Sequence, residues 1–444
     1  VADKPAAGNF LPPSQNQGIA LQYQEFLDHI YRKYSGNVKL ELNRMKHLLD
    51  AMGNPQGDLR GFHVAGTNGK GSVCATLEAL CLAHGLSTGL NTSPHLIDYT
   101  ERFRVNGHDL PFERILDTFH RLEPLFEEWD ASFFEITTAI AFQIFREENL
   151  HSNVIEVGLG GRLDATNLFT PNVAAITTIG LDHVKTLGGS LELIAAEKAG
   201  IIKAGVPLVL GRIPASPRRI ILARAIELNV PFHLPGRDYC FRITARRPTG
   251  LRFDYSFGHH VYRGLKANLI GEHQAGNIAL ALTAFFVYAD ARGIRVSATK
   301  VRRALLSINW RGRMQVLGTA PVIIVDGAHN VQGVEAMLKT LRRIWPHRRF
   351  RFLVSILADK NYAEMLRLIC RNAEKIYFAQ NGSDRAATVA EQAAEAIRHG
   401  VEHVAADSVA EAFRIAQAEL KPADILVCGG SLYTVGEVLG CHST

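Results

Sequence analysis

A chain of 444 residues, 47% apolar and 21% charged, can bury a core large enough for two or three domains; no apolar run reaches bilayer length, and no basic-then-apolar order marks a signal peptide. The net charge of +6 is spread along the chain without a basic block interleaved with aromatics, which suits small anionic substrates and points away from nucleic acid and membrane partners. Six cysteines show neither CxxC nor metal-ligand spacing, so reduced thiols in a cytoplasmic protein are expected.

Residues 1–18, with Pro5, Pro12 and Pro13, read as a poorly ordered tail. Helical spacing over Gln22–Tyr34 and Leu40–Met52 then predicts a helical preamble. From Phe62 to Ser72 an apolar run enters a glycine-rich turn and a helical pattern leaves it. Gly66, Gly69 and Gly71, with Thr67 and Asn68 between them, let the backbone bend and bring its N–H groups to an anion. Lys70 adds a mobile positive charge, and Ser72 a hydroxyl for a phosphate-bound metal. The helix that follows is expected to place Val73, Cys74, Leu77, Leu80, Cys81 and His84 on one apolar face and to end at Gly85. Its positive N-terminus faces the loop, so the stretch reads as a phosphate cradle. The usual P-loop places Gly five positions before Gly-Lys-Ser/Thr; here Val64 holds that place and Gly71 separates Lys70 from Ser72, a shortened variant.

A strand over Ser87–Leu90 opens into Asn91–Leu96 and then Tyr99–Gly107. Beside the cradle Ser93 could ligate a metal and Arg102 pair with a carboxylate; the alternative is a polar surface loop. Phe133-Phe134-Glu135 begins a helix through Phe145, for which an apolar face is the default reading. Asn153–Val157 reads as a buried strand carrying Glu156, and Val173–Ile179 as the next, leading into Gly180-Leu181-Asp182-His183. In an open parallel sheet, Glu156 and His183 would then lie at the carboxyl ends of neighbouring strands, on the edge where the cradle opens, as candidate metal ligands. Ser190–Gly200 is a helix with Lys198 near its C-terminus, where a lysine can simply complement the dipole. Tyr239–Leu269 reads as antiparallel strands about Pro248-Thr249-Gly250, and Gly271–Asn277 opens an apolar helix to Tyr288. Asn309–Arg313 marks the expected boundary between domains 1–309 and 310–444. A fresh βαβ series follows, with strands over Val322–Val325, Arg351–Leu357, Lys375–Phe378 and Ile425–Cys428. The strand-end rule sets Asp326, His329 and Ser431 on one edge of this second sheet. The predicted fold is α/β: a P-loop domain with a mostly parallel sheet and a smaller Rossmann-like C-terminal domain.

Gly-Thr-Asn-Gly-Lys-Gly-Ser (66–72), Ser-Pro-His-Leu (93–96), Glu-Arg-Phe-Arg-Val-Asn-Gly (101–107), Glu-Lys-Ala-Gly-Ile (197–201), Asp-Gly-Ala-His-Asn (326–330) and Gly-Gly-Ser-Leu-Tyr (429–433) occur in that order. In these motifs, from Phe62 to Tyr433, the chain resembles the folylpolyglutamate and dihydrofolate synthases of the Mur ligase superfamily. The stretch before the cradle is shorter than the extra domain of the peptidoglycan-building Mur ligases, which favours the folate branch.

The resemblance implies ATP bound by Gly66, Thr67, Asn68, Gly69, Lys70, Gly71, Ser72, Asn277, Arg313 and Asp326, with Gln274 assisting. It implies two magnesium sites drawn from Ser72, Ser93, Glu156, His183 and Lys198 as a carbamate; a histidine among oxygen donors is unusual for magnesium. Arg102, His329 and Ser431 would lie at the glutamate site, and Phe133, Phe134, Glu135, Leu163, Asp164 and Ala165 at the folate substrate. Lys70, His183, Lys198 and His329 would be the catalytic group. The implied reaction joins L-glutamate to the carboxylate of dihydropteroate, a reduced folate or both, through an acyl phosphate, in a cytoplasmic monomer. A P-loop kinase or NTPase, another Mur-type amide ligase, and a non-catalytic nucleotide or folate binder remain as alternatives.

Overall fold

The computed structural model describes residues 17–34 and 41–443. The tail expected over residues 1–18 lies outside them, except that Gln17 and Gly18 begin the helix Gln17–Tyr34.

The first sheet contains β1 (Gly61–Ala65), β2 (Thr88–Asn91), β3 (Phe103–Val105), β4 (His108–Asp109), β5 (Ser152–Glu156), β6 (Val173–Ile176), β7 (Leu208–Leu210) and β8 (Phe232–His233), in the order β4-β3-β2-β5-β1-β6-β7-β8. The strands from β2 to β8 along this order pair in parallel, and β3 and β4 add an antiparallel edge. Every residue of β1, β5, β6 and β7 is buried. Such unbroken runs mark parallel strands covered on both faces.

An antiparallel ribbon of β9 (Tyr239–Arg247), β10 (Gly250–Phe257) and β11 (His260–Ala267) packs beside the helix Glu272–Ala291. The last sheet contains β12 (Gln315–Thr319), β13 (Val322–Asp326), β14 (Phe350–Val354), β15 (Ala373–Ala379), β16 (Glu402–Ala406) and β17 (Ile425–Gly429), ordered β12-β13-β17-β14-β15-β16 and parallel apart from β12.

Two expectations change. The cradle helix, Lys70–Ala83, is buried almost all round rather than along one face, with Glu78 and Thr76 as enclosed as Leu77 and Leu80. It is clasped between the sheet and the helix Glu272–Ala291, where Val73, Leu77 and Leu80 share a core with Ile278, Leu282 and Phe285. A helix covered on both sides has no polar face to display. Second, β5 and β6 are not neighbours, because β1 runs between them. The carboxyl ends that lead to Glu156 and His183 therefore flank the cradle strand.

Candidate active site

The cradle begins where β1 ends. Gly66 has φ +150°, and a Cβ there would collide with the Thr177 side chain, so the loop can lie against the end of β6 only as glycine. Its tip is pinned to that strand end. The Thr67 N–H donates to Thr178 O at 2.8 Å, and the Thr67 hydroxyl donates to Gly180 O at 3.2 Å and accepts from the Gly180 N–H at 3.0 Å. Asn68 N–H donates to Thr178 Oγ1 at 3.0 Å, while Asn68 O accepts from the Thr177 and Thr178 hydroxyls at 2.7 and 3.1 Å. The side chain of Thr67, expected at ATP, is thus engaged with protein, and that of Asn68 pairs with the Asn330 amide. The groups left for an anion are the first N–H groups of the helix that starts at Lys70, which have no partner within it. Asn277, held by Gln274 at 3.0 Å, packs against Gly69, and Trp310 lies over Gly71.

Two titratable groups beside this loop, Glu156 and Lys198, are buried, and a third, His183, is exposed. Glu156, 4% exposed, stands 3.9 Å from Lys70 Nζ, and its Oε2 has no hydrogen-bond partner. Burial pushes its carboxyl up to about 7, against the pull of Lys70 and Arg313, and the Ser93 backbone amide lies close to it. His183, in left-handed backbone at φ +49°, precedes the short helix Val184–Leu187; its side chain is exposed, yet desolvation by the protein around its ring lowers its imidazole to about 4. Lys198, near the end of the helix Leu191–Ala199, is 4% exposed. Burial first, then repulsion from Lys70, brings its amine down to about 7. A surface lysine answering a helix dipole is therefore ruled out. Ser72 is buried in the first helical turn, and Ser93 is half-buried. Among the described residues no three His, Cys, Asp or Glu side chains gather as a ready metal cluster.

The expected folate group divides. Phe134 is half-buried with its ring over Gly158, and Leu163 is half-buried. Phe133 instead belongs to the core, stacked on Tyr31 at 4.8 Å, and Ala165 is enclosed in the same cluster. Glu135 also moves to a structural task. Its carboxylate accepts from Arg44 Nε at 2.9 and 3.2 Å and from the Ser132 N–H at 2.7 Å, closing the capping box of the helix Phe133–Glu147. Asp164 accepts from the Leu159 N–H at 2.7 Å, the Thr166 N–H at 3.1 Å and the Thr166 hydroxyl, shaping its own loop. Both carboxylates lack an oxygen facing open space because the local backbone needs them first.

Arg102 is buried, donates from Nε to His95 Nδ1 at 2.8 Å, and lies 5.3 Å from the Phe133 ring centre.

On the second sheet's edge, Asp326 accepts from the Met314 and Ala328 N–H groups at 2.8 and 3.0 Å, and Arg313 donates to Gly327 O at 3.1 Å. Ser431, expected at glutamate, is fully buried; its hydroxyl oxygen meets Asn381 Nδ2 at 3.2 Å, the Thr434 N–H at 3.1 Å and Thr434 Oγ1 at 2.8 Å. The hydroxyl anchors the turn into the last helix. His329 Nδ1 lies 2.9 Å from Gly327 O, and Nε2 lies 3.4 Å from Asp182 Oδ2.

Sequence reasoning missed the side chains that join these parts. Asp182 meets Lys360 Nζ at 2.5 Å and Asn330 Nδ2 at 3.2 Å. Nearby positive charge from His329 and Lys360 holds its carboxyl well below the usual range. The signal was present in the acidic residue beside His183, and in Thr177-Thr178 where β6 ends.

Comparison with known proteins identifies the family. The Mur ligase middle domain family matches residues 64–285, and the Mur ligase glutamate ligase domain family residues 312–432. The dihydrofolate synthase/folylpolyglutamate synthase of Bacillus subtilis is 35% identical over 372 residues, covering 82% of this chain and 86% of its own. The solved structure of Mycobacterium tuberculosis folylpolyglutamate synthase complexed with ADP superposes with a TM-score of 0.88 at 30% identity, over 96% of this chain and 98% of that one. A bifunctional folylpolyglutamate synthase/dihydrofolate synthase from Yersinia pestis, complexed with AMPPNP and a Mn ion, gives 0.84 at 30% identity over 95% and 98%. The chain belongs to the Mur ligase superfamily and, within it, to the folylpolyglutamate/dihydrofolate synthase family.

Proposed function

We propose that this chain is an ATP-dependent ligase joining L-glutamate to a folate-type carboxylate through an acyl phosphate, and that it acts as both dihydrofolate synthase and folylpolyglutamate synthase. The observation that carries the reading is a phosphate cradle sharing one sheet edge with a buried carboxylate that has an unpartnered oxygen, Glu156, and a buried lysine brought to about 7, Lys198. The relatives' names supply the substrate class.

Lys70 and the first N–H groups of its helix hold and neutralise the triphosphate. The donor set fits a divalent cation, because Glu156 Oε2 is buried without a partner and Ser72 and Ser93 add oxygens. Ser72, Ser93, Glu156 and His183 would hold it, with Lys198 as a carbamate at a second site. When bound, magnesium spreads the charge of the transferring phosphoryl group over the site. Phosphoryl transfer needs positioning and charge neutralisation more than covalent help from protein. Lys198, largely neutral above pH 7, can combine with carbon dioxide, releasing a proton and leaving an anionic carbamate. Arg313, Asp326 and Asn277 line the nucleotide from the other side, and Arg102 and His329 face the incoming glutamate. With the second sheet's edge against the cradle, water is kept from the acyl phosphate. We take 1–309 and 310–444 as the two domains of a cytoplasmic monomer.

The test is ADP release measured with each substrate omitted in turn. A ligase releases ADP only with ATP, acceptor and glutamate together, and yields a hydroxamate when hydroxylamine replaces glutamate. Release without glutamate or hydroxylamine, and no hydroxamate, would favour the kinase or NTPase. Product analysis with dihydropteroate and with a reduced folate decides bifunctionality; one product alone reduces it to a single activity.

A further inference from the structure

Asn68 at the tip of the cradle and Asn330 after β13 lie on different sheets, yet their side-chain amides exchange two hydrogen bonds: Asn68 Nδ2 donates to Asn330 Oδ1 at 3.1 Å, and Asn330 Nδ2 to Asn68 Oδ1 at 3.0 Å. The same Asn330 Nδ2 reaches Asp182 Oδ2 at 3.2 Å, and Asn330 Oδ1 also caps the helix Val331–Ile344 through the Gly333 N–H at 2.9 Å. Asp182 in turn pairs with Lys360, from the loop after β14, at 2.5 Å, and the side chains are only 9% and 8% exposed. Gln332 closes the array by packing its side chain against Gly180.

An ion pair in water contributes little, but a buried and hydrogen-bonded one strands a charge when either partner is lost, so it holds its two elements to a single arrangement. Here the elements are the nucleotide loop and the loop after β6 on one side, and the loops after β13 and β14 of the last sheet on the other.

We propose that Asn68, Asp182, Asn330 and Lys360 form a polar latch that sets the carboxyl edge of the last sheet over the cradle, making Asp182 and Lys360 positioning residues for the glutamate-joining step. Because Asn68 is both a latch member and part of the cradle loop, a nucleotide that shifts the loop shifts Asn330 and the helix it caps. The kinetic consequence rests on the ligase reading; the latch itself rests on geometry.

Lys360→Met keeps the buried stem and removes the charge. It is expected to lower kcat/KM for glutamate by about a hundredfold, mostly through KM, because the amine is misplaced. ADP affinity by calorimetry should stay within about twofold of the parent, since the cradle is intact. Small-angle scattering of the full chain should show a larger radius of gyration. Lys360→Arg should recover much of both, and Asp182→Asn with Lys360→Met should be no worse than the poorer single variant, as expected for partners in one interaction. Parent-like glutamate kinetics and scattering in Lys360→Met would overturn the latch, as would equal losses of ADP and glutamate affinity, which would mean general damage. Should Lys360→Met fail to fold, Lys360→Arg and Asp182→Asn carry the same comparison. If the parent shows no glutamate-dependent ADP release, the ligase reading falls, and scattering alone still decides the latch.

Discussion

The two sheets present their carboxyl edges in opposite chemical states. On the first, Glu156 keeps a buried oxygen without a partner, and Lys198 is buried with its amine brought to about 7. On the second, Asp326 and Ser431 are engaged by their own backbone and neighbours. A buried polar group left unmatched is costly unless something binds it, so the first edge keeps unmatched groups for ligands, while on the second Asp326 and Ser431 also hold their own turns in place. The same strand-end rule nominated residues on both edges, but it describes location and not availability.

Ways to break this contrast run from large effects to small. Lys70→Ala removes the one mobile cation of the cradle and should reduce turnover about a thousandfold, some 4 kcal/mol, with the circular dichroism spectrum unchanged; near-normal turnover would move the chemistry elsewhere. Glu135→Ala should act only on stability, by about 3 kcal/mol in urea, because it leaves Arg44 buried without its partner and opens the capping box. A raised KM for folate with unchanged stability would return Glu135 to the substrate site.

Lys198→Arg should inactivate by about a hundredfold, since a guanidinium does not form the carbamate, and a short carboxylic acid should partly rescue Lys198→Ala. An active Arg variant would refute the carbamate. Glu156→Gln and His183→Ala should each raise the magnesium concentration needed for half-maximal rate by about tenfold. Glu156→Gln should leave the melting temperature at or above that of the parent, because the buried carboxylate has no hydrogen-bonding partner at Oε2 to lose. An unchanged magnesium requirement in both would make them structural.

The smallest effect is a pH slope. His63 in β1 is fully buried against Thr166, whose hydroxyl is already donated to Asp164, so His63 Nε2 carries the proton and Nδ1 stays bare. Burial, then repulsion from Lys203, holds its imidazole well below 6.5. The unfolded chain therefore takes up a proton below about pH 6.5 that the folded one refuses, and stability is lost as pH falls, by at most about 1.4 kcal/mol per pH unit. His63→Gln should flatten that part of the melting-temperature profile between pH 7 and pH 5; an identical slope would mean His63 is protonated in the fold.

The elements were largely legible, for separate physical reasons. Fully buried strands such as β6 and β17 announce themselves as apolar runs, and Ser132 and Glu135 bracket a helix start that a capping box then forms. The family resemblance set Glu135 at the folate substrate, and its capping role was not legible beforehand, since a capping acid and a binding acid look identical in one dimension. The cradle helix was read as one-faced because amphipathic spacing does not say what covers the other side.

The chain's own order of residues determined the cradle, because turn glycines, a lysine and a helix start are local and lie within eleven consecutive positions. It also determined the membership of the family, whose motifs are short and ordered. Only the tertiary structure decided which acids and hydroxyls remain free, and which side chains join the sheets. Asn68 and Asn330 are 262 positions apart, and Asp182 and Lys360 are 178 apart. No periodicity links such pairs; they meet because parallel crossovers bring strand ends to one edge, and burial there turns an ordinary lysine, glutamate or asparagine into a matched or unmatched group.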